Sequence, residues 1–160
     1  MVKEKLVTGS VVTVVSVIVS WLYARMGILI YALLALTFMM VVDYFTGMLA
    51  SKAEAIDHPE DPAYGWNSKK GAKGIIKKVG YLCIISVAIV ADYIILWTAS
   101  DLGFNVENKT FFALLVTIWY LLNELLSIIE NAGRMGADVP DWLAKYIAIL
   151  KKKIDSKGGN

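Results

Sequence analysis

Three carboxylates interrupt long apolar runs of this 160-residue chain, and they are the side chains whose setting most needs a chemical explanation. Asp43, Asp92 and Glu124 each stand among residues that are otherwise mostly apolar. A carboxylate at the centre of a bilayer costs about 2.5–3.5 kcal/mol on insertion scales, so such groups face a neighbouring helix or water rather than lipid. The chemistry they indicate is the pairing or hydration of charge inside a membrane.

The motifs of enzymes and of cofactor or metal sites are missing from the sequence. It has no HExxH, no GxSxG and no glycine-rich phosphate loop. The one cysteine, Cys83, lies within an apolar run, and the one histidine, His58, lies in a polar segment beside Pro59. We therefore expect no catalytic residues, no cofactor and no metal ion.

The last apolar run carries polar residues on one helical face. Steps of three and four residues join Thr117, Tyr120, Glu124, Ser127 and Asn131. Asn123 stands beside this stripe. Glu130 ends the run at the membrane interface, where Arg134, four residues on, is expected to pair with it.

The first two runs also carry small and polar faces. In the second run, Thr46 and Gly47 share a face with Asp43, and in the first run such a face joins Gly9, Thr13, Ser16 and Ser20. Two interpretations apply to such faces: tight packing between helices through small and hydrogen-bonding side chains, or a surface that contacts water in a pore or between subunits. We favour packing for the first two runs and water contact for the last.

The elements that must position these residues are four apolar runs, at residues 6–24, 28–50, 79–99 and 111–130. Runs of about 20 apolar residues cross the hydrocarbon core of a bilayer as helices. With 58% hydrophobic residues, the chain exceeds the roughly 50% of soluble domains. The fold class predicted is all-α, an integral membrane protein of about four transmembrane helices. Residues 1–139 form the membrane domain, with a very short turn at 25–27 and a loop at 51–78.

Basic residues predict the orientation of these spans. If both termini lie on one side, 14 of the 16 Lys and Arg residues lie there too, and only Arg25 and Lys109 lie opposite. Positive charge marks the cytoplasmic side, so both termini are expected in the cytoplasm. The lysines expected at the membrane surface are Lys69, Lys70, Lys73, Lys77 and Lys78 of the loop and Lys151, Lys152 and Lys153 of the tail. Their expected partners are lipid head groups and not nucleic acid.

Residues 140–160 form a basic tail. Pro140 suits the first turn of a helix, and apolar residues such as Trp142 and Tyr146 cluster on one side with most lysines elsewhere. The pattern favours an amphipathic helix lying in the cytoplasmic membrane interface. The alternative is a solvated charged tail.

Several segments together resemble the toxin-secretion/phage-lysis holin family. They are Asp-Tyr-Phe-Thr-Gly at 43–47, the lysine-rich stretch 68–78, Asp92 in the next span, Asn-Glu-Leu-Leu-Ser-Ile-Ile-Glu-Asn-Ala at 123–132, Gly136, and Val-Pro at 139–140. They occur in the family's order, and the stretch 123–132 is the most specific of them.

This resemblance implies a bacteriophage-type holin. Such proteins form homo-oligomers in the bacterial cytoplasmic membrane and open lesions that release an endolysin or, in some relatives, a toxin. The residues that could face a pore or a neighbouring subunit are the intramembrane polar residues named above. The alternative functions are a small ion or solute channel, and a scaffold that anchors a soluble partner through the loop.

Overall fold

The computed structural model describes residues 2–61, 64–106, 110–143, 145, 146 and 149. In this part of the chain α-helix is the only regular secondary structure, which confirms the all-α class. Four long helices follow one another: α1 at Val2–Met26, α2 at Ile28–Asp57, α3 at Ser68–Asp101 and α4 at Phe111–Arg134.

Three of these helices, α2, α3 and α4, are long and apolar enough to cross a membrane. They contain the predicted spans 28–50, 79–99 and 111–130. The predicted first span, 6–24, is helical as part of α1. That α1 also crosses the membrane stays a prediction.

The predicted loop at 51–78 is wrong in its extent. Helix α2 continues to Asp57 and α3 begins at Ser68, so only residues 58–67 connect them. Alanine, lysine and glutamate are good helix formers, so a helix that contains them can continue beyond the surface of the bilayer. Hydropathy marks where the membrane ends and not where the helix ends. Asn67 is the N-cap residue of α3, and its side chain accepts a hydrogen bond from the backbone N–H of Lys70 at 2.9 Å.

The turn predicted at 25–27 is shorter in the structure, because α1 continues to Met26 and Gly27 alone separates α1 from α2. Gly27 adopts a positive φ of 53° between α1 and α2, a conformation that a residue without a Cβ adopts at little cost. Among the described residues, the neighbours of α1 come mainly from α2, and Met26 also packs against the cluster of Leu29, Ala88 and Ala113. The small and polar face that sequence predicted to pack in α1, namely Gly9, Thr13, Ser16 and Ser20, is exposed.

Helix α4 is the central helix of the bundle. It packs extensively against α2 and less against α3, whereas α2 and α3 contact each other little. Helices α2 and α4 are parallel and α3 is antiparallel to both. Two buried apolar clusters hold them, one of Leu36, Met40, Tyr81, Ile85 and Tyr120, and one of Leu29, Ala88 and Ala113.

Large apolar side chains cover the outside of the bundle. Phe38, Val87 and Trp97 are each at least 66% exposed, and many similar residues accompany them on α2, α3 and α4. A soluble monomer rarely exposes a continuous apolar surface of this kind, whereas lipid tails solvate it well. The exposed surface therefore fits a membrane protein.

The basic tail is described only in part. Residues 141–143, 145, 146 and 149 are helical, and Trp142 and Tyr146 make an edge-to-face contact with ring centroids 6.4 Å apart. Both of these aromatic side chains are exposed. Lys151, Lys152 and Lys153 lie outside the described residues, so the amphipathic interfacial helix stays a prediction.

Candidate functional site

One ammonium group lies between two carboxylates where the three apolar helices meet. Lys78 Nζ of α3 donates to Asp43 Oδ2 of α2 at 2.9 Å and also to Glu124 Oε2 of α4. The exposed fractions of the side chains are 14% for Lys78, 17% for Asp43 and 2% for Glu124. We call these three residues the charge triad. Glu124 is buried, as expected, and the triad joins all three helices.

Lys78 has contacts in the bundle that its predicted place at the membrane surface did not reveal. It was predicted at the membrane surface with Lys69, Lys70, Lys73 and Lys77, all of which are exposed on α3. Lys78 differs because it is the last basic residue before the apolar part of α3 and because its helical position faces α2 and α4. A long aliphatic stem lets a lysine carry its charge away from its own Cα. Here the stem extends into the bundle, so that the ammonium group contacts two acids.

An amide on α4 extends the charge triad. Asn131 Nδ2 donates to Asp43 Oδ1 at 3.1 Å and to Thr46 Oγ1 at 3.2 Å. Gly47 lies beside this contact, and a Cβ at this position would lie 3.4 Å from Asn131 Nδ2, an ordinary van der Waals distance. Asn131 is only 6% exposed, so its bonds replace the water that a buried amide would otherwise need. The predicted residues Asp43, Thr46, Gly47 and Asn131 therefore meet at one place.

A bidentate ion pair joins α2 and α4 near the C-terminal ends of both helices. Arg134 Nε lies 2.7 Å from Glu54 Oε1, and Arg134 Nη2 lies 2.8 Å from Glu54 Oε2. Arg134 Nη1 also donates to Asn131 Oδ1 at 2.9 Å. The expected pairing of Arg134 with Glu130 is wrong: Glu130 is exposed, and the guanidinium faces α2 instead. The parallel register of α2 and α4 brings Glu54 within reach, which spacing along α4 could not reveal.

We expect the Glu54–Arg134 pair to contribute about 0.5–1 kcal/mol to stability, since both side chains are partly exposed. A double-mutant cycle with Glu54→Gln and Arg134→Gln, measured by unfolding in mixed micelles, gives the coupling energy. The coupling should fall when salt is raised from 0.05 to about 0.5 M, because salt screens exposed charges. A cycle with Glu130→Gln in place of Glu54→Gln is the control, and a larger coupling there would contradict the assignment.

Asp92 has a structural role that its sequence position did not suggest. Its Oδ1 accepts from the backbone N–H of Phe112 at 2.9 Å and its Oδ2 from that of Ala113 at 2.8 Å. These donors belong to the first turn of α4, where backbone N–H groups have no partner within the helix. Asp92 is 5% exposed, so a carboxylate of α3 caps α4 inside the bundle. It was predicted to face a pore or a subunit interface, and in the single chain it faces α4.

The rest of the polar stripe on α4 also faces the inside of the bundle. Thr117 donates to the carbonyl oxygen of Ala113 at 2.7 Å, and the Tyr120 ring stacks on Tyr81 with centroids 3.9 Å apart. Asn123 and Ser127 are partly exposed. In a single chain, therefore, the stripe is a packing seam. A water-contacting role for it requires α4 to move away from α2 and α3.

The charge triad holds three ionisable side chains in contact inside the bundle. Within the described ranges, no three His, Cys, Asp or Glu side chains are grouped so that they could hold a metal ion. The space between the two acids of the charge triad is filled by an ammonium group. What this site can do is hold three charged groups together away from water and release them together if the helices separate.

Comparison with known proteins agrees with this membrane architecture. A sequence model of the bacteriophage holin family matches residues 8–152, which is most of the chain. The match extends from α1 into the basic tail and includes every residue of the charge triad.

Several bacterial proteins are similar to this chain over most of their length. An uncharacterized protein of Halalkalibacterium halodurans is 37% identical over 86% of this chain and 89% of its own length. An uncharacterized protein of Listeria monocytogenes is 33% identical over 85% of this chain and 81% of its own. An uncharacterized 14.9 kDa protein in the nagH 3' region of Clostridium perfringens is 26% identical over 84% and 85%.

No solved structure matches the chain. The family match, the three apolar helices and the exposed apolar surface nevertheless agree with one another. This chain is a membrane protein and belongs to the bacteriophage holin family.

Proposed function

We propose that this protein acts as a holin: copies assemble in the bacterial cytoplasmic membrane and form lesions that let an endolysin or a toxin leave the cell. Both termini lie in the cytoplasm in this proposal, as the distribution of basic residues favours. Family membership supports the general class, and the charge triad supports the mechanism.

The triad supports lesion formation because its groups are stable in only two surroundings. Buried charges persist when they are paired with each other, and otherwise they need water. In one chain, α2, α3 and α4 supply the pairing. If α4 separated from its neighbours in an assembly, the same three side chains would line a surface that water wets. The closed bundle and the open lesion are then two ways of satisfying one set of charges.

Assembly of several copies supplies what one chain lacks. One bundle of a few helices encloses no wide aqueous path, so the polar faces of several copies must be shared to make one. In the part of α1 that the structure describes, most neighbours come from α2, and the small and polar face is exposed. Such faces associate in lipid through close packing and hydrogen bonds. Helix α1 is thus available for contacts between copies.

Induced expression in a bacterium tests the proposal. We expect an abrupt loss of viability and membrane potential, together with release of a folded cytoplasmic enzyme such as β-galactosidase. The matched control is the triple variant Asp43→Leu, Lys78→Leu, Glu124→Leu, because replacing a buried ionic cluster by apolar residues is often neutral for folding. The variant should insert to a similar level and leave the cells intact.

Other outcomes of this experiment would contradict the proposal. Loss of potential without release of the folded enzyme indicates a small channel. Intact cells, together with recruitment of a soluble protein that is lost when residues 54–66 are deleted, indicate a scaffold. Equal lysis by the wild type and the triple-leucine variant would show that the charge triad has no part in the lesion.

A further inference from the structure

Two cavities adjoin at the basic end of the bundle, where α3 departs from α2. One has a volume of about 300 Å³ and is bordered by α2, the first turns of α3, the end of α4 and Trp66. We call it the head cavity. The other, of about 380 Å³, lies between α2 and α3, and we call it the tail groove. Tyr44 and Lys78 line both, so the two cavities are neighbours.

Charged groups of both signs border the head cavity. They are the cations Lys70, Lys78 and Arg134 and the carboxylate of Asp43, together with the polar residues Ser51 and Asn131. Lys78 is paired with Asp43 and Glu124, and Arg134 is paired with Glu54. Ammonium, guanidinium, hydroxyl and amide groups all donate hydrogen bonds, and phosphate oxygens accept them. Trp66, which is 43% exposed, forms part of the wall. Tryptophan is favoured where one side of a residue is apolar and the other is wet.

The tail groove is almost entirely apolar. Its walls come from Val41 and Phe45 of α2 and from Ile75, Val79 and Leu82 of α3. All five of these side chains are at least 46% exposed. The groove stays open because α2 and α3 contact each other little. If the groove were empty, its walls would lack the dispersion contacts that an acyl chain makes with both of them.

We propose that the head cavity and the tail groove together bind one anionic phospholipid, with the phosphate near Lys70 and one acyl chain along the groove. The polar space and the apolar space adjoin in the order in which a phospholipid presents its head and its tail. The exposed lysines of the first turns of α3, Lys69, Lys73 and Lys77, attract anionic rather than neutral lipid. The acyl chain of this lipid fills the space that α2 and α3 leave between them. Lipid binding is measured on purified protein, so it is independent of the proposed lytic function.

Native mass spectrometry of the detergent-purified full chain, titrated with dioleoylphosphatidylglycerol, tests this site. We expect one lipid to be retained per chain and dioleoylphosphatidylcholine to be retained less. Lys70→Gln should weaken binding on the order of tenfold, the effect of losing a hydrogen bond to a charged group. Lys69→Gln is the matched control, because Lys69 is adjacent, exposed and outside both cavities. It should change binding little.

A second pair of variants tests the tail groove. Val79→Trp should fill the groove and displace the lipid, whereas Val87→Trp, at an exposed position of α3 outside the groove, should not. Equal effects of Lys69→Gln and Lys70→Gln would overturn the proposal, since they would show general surface attraction. So would retention of lipid by a folded Val79→Trp variant. Displacement of the lipid by inorganic phosphate alone would identify a site for free anions instead.

Discussion

Replacing Lys78 by Gln is expected to lower the free energy of unfolding by about 3–5 kcal/mol, because removing one partner of a buried ion pair leaves its charge uncompensated. Here the ammonium group that is lost contacts two acids, Asp43 of α2 and Glu124 of α4. Unfolding in mixed micelles, followed by circular dichroism, measures the change. Weaker association of α4 with α2 should accompany it.

The neighbouring residue provides the control for this prediction. Lys77→Gln removes the same charge from the next position of α3, where the side chain is exposed, and should change stability by less than about 1 kcal/mol. The double variant Lys78→Gln with Glu124→Gln should recover part of the loss, since it removes one of the two acids. Equal destabilisation by Lys77→Gln and Lys78→Gln, or no recovery in the double variant, would contradict the triad as the source of stability.

Replacing Asp92 by Ala is expected to cost about 1.5–3 kcal/mol, the range for a hydrogen bond to a charged group. The variant leaves the backbone N–H groups of Phe112 and Ala113 without an acceptor at a buried helix end. The carboxylate also interacts favourably with the positive end of the α4 dipole. Asp92→Asn should be destabilised too, because one amide oxygen cannot serve both N–H groups as a charged acceptor does.

Hydrogen exchange locates the effect of this substitution. The amides of Phe112 and Ala113 should exchange faster in Asp92→Ala, whereas amides near the charge triad should change less. Asp101→Ala is the matched control, because Asp101 is an exposed acid at the end of the same helix. Unchanged exchange at the start of α4 in Asp92→Ala would show that the cap does not hold that end of the helix.

These two buried acids have different consequences for function. Asp92 holds α4 by its first turn, whereas Glu124 holds it through an ammonium group contributed by α3. A helix that is capped at one end and ion-paired near the middle can separate at the triad while its first turn stays attached. Opening at the basic end would also have to separate Arg134 from Glu54 and Asn131 from Asp43 and Thr46.

Much of the membrane architecture follows from local features of the sequence. Apolar runs predicted α2, α3 and α4, because the length and hydropathy of a run are properties of neighbouring residues. The burial of Asp92 and Glu124 followed from the cost of a carboxylate in lipid, which holds whatever the partner is. The tight turn at Gly27 followed from the short distance between two runs. The resemblance of segments 43–47 and 123–132 to holins agreed with the family match.

Only the tertiary structure determines which residues pair with the acids inside the bundle. Lys78 reaches an acid 35 residues away and another 46 residues away, and Arg134 pairs with an acid 80 residues away. Such pairs depend on the register and rotation of helices relative to each other, which no local pattern encodes. The same register turned the polar stripe of α4 inward and set Asp92 against the first turn of α4. Sequence shows that a buried charge needs a partner, and the packing of distant helices selects which residue that partner is.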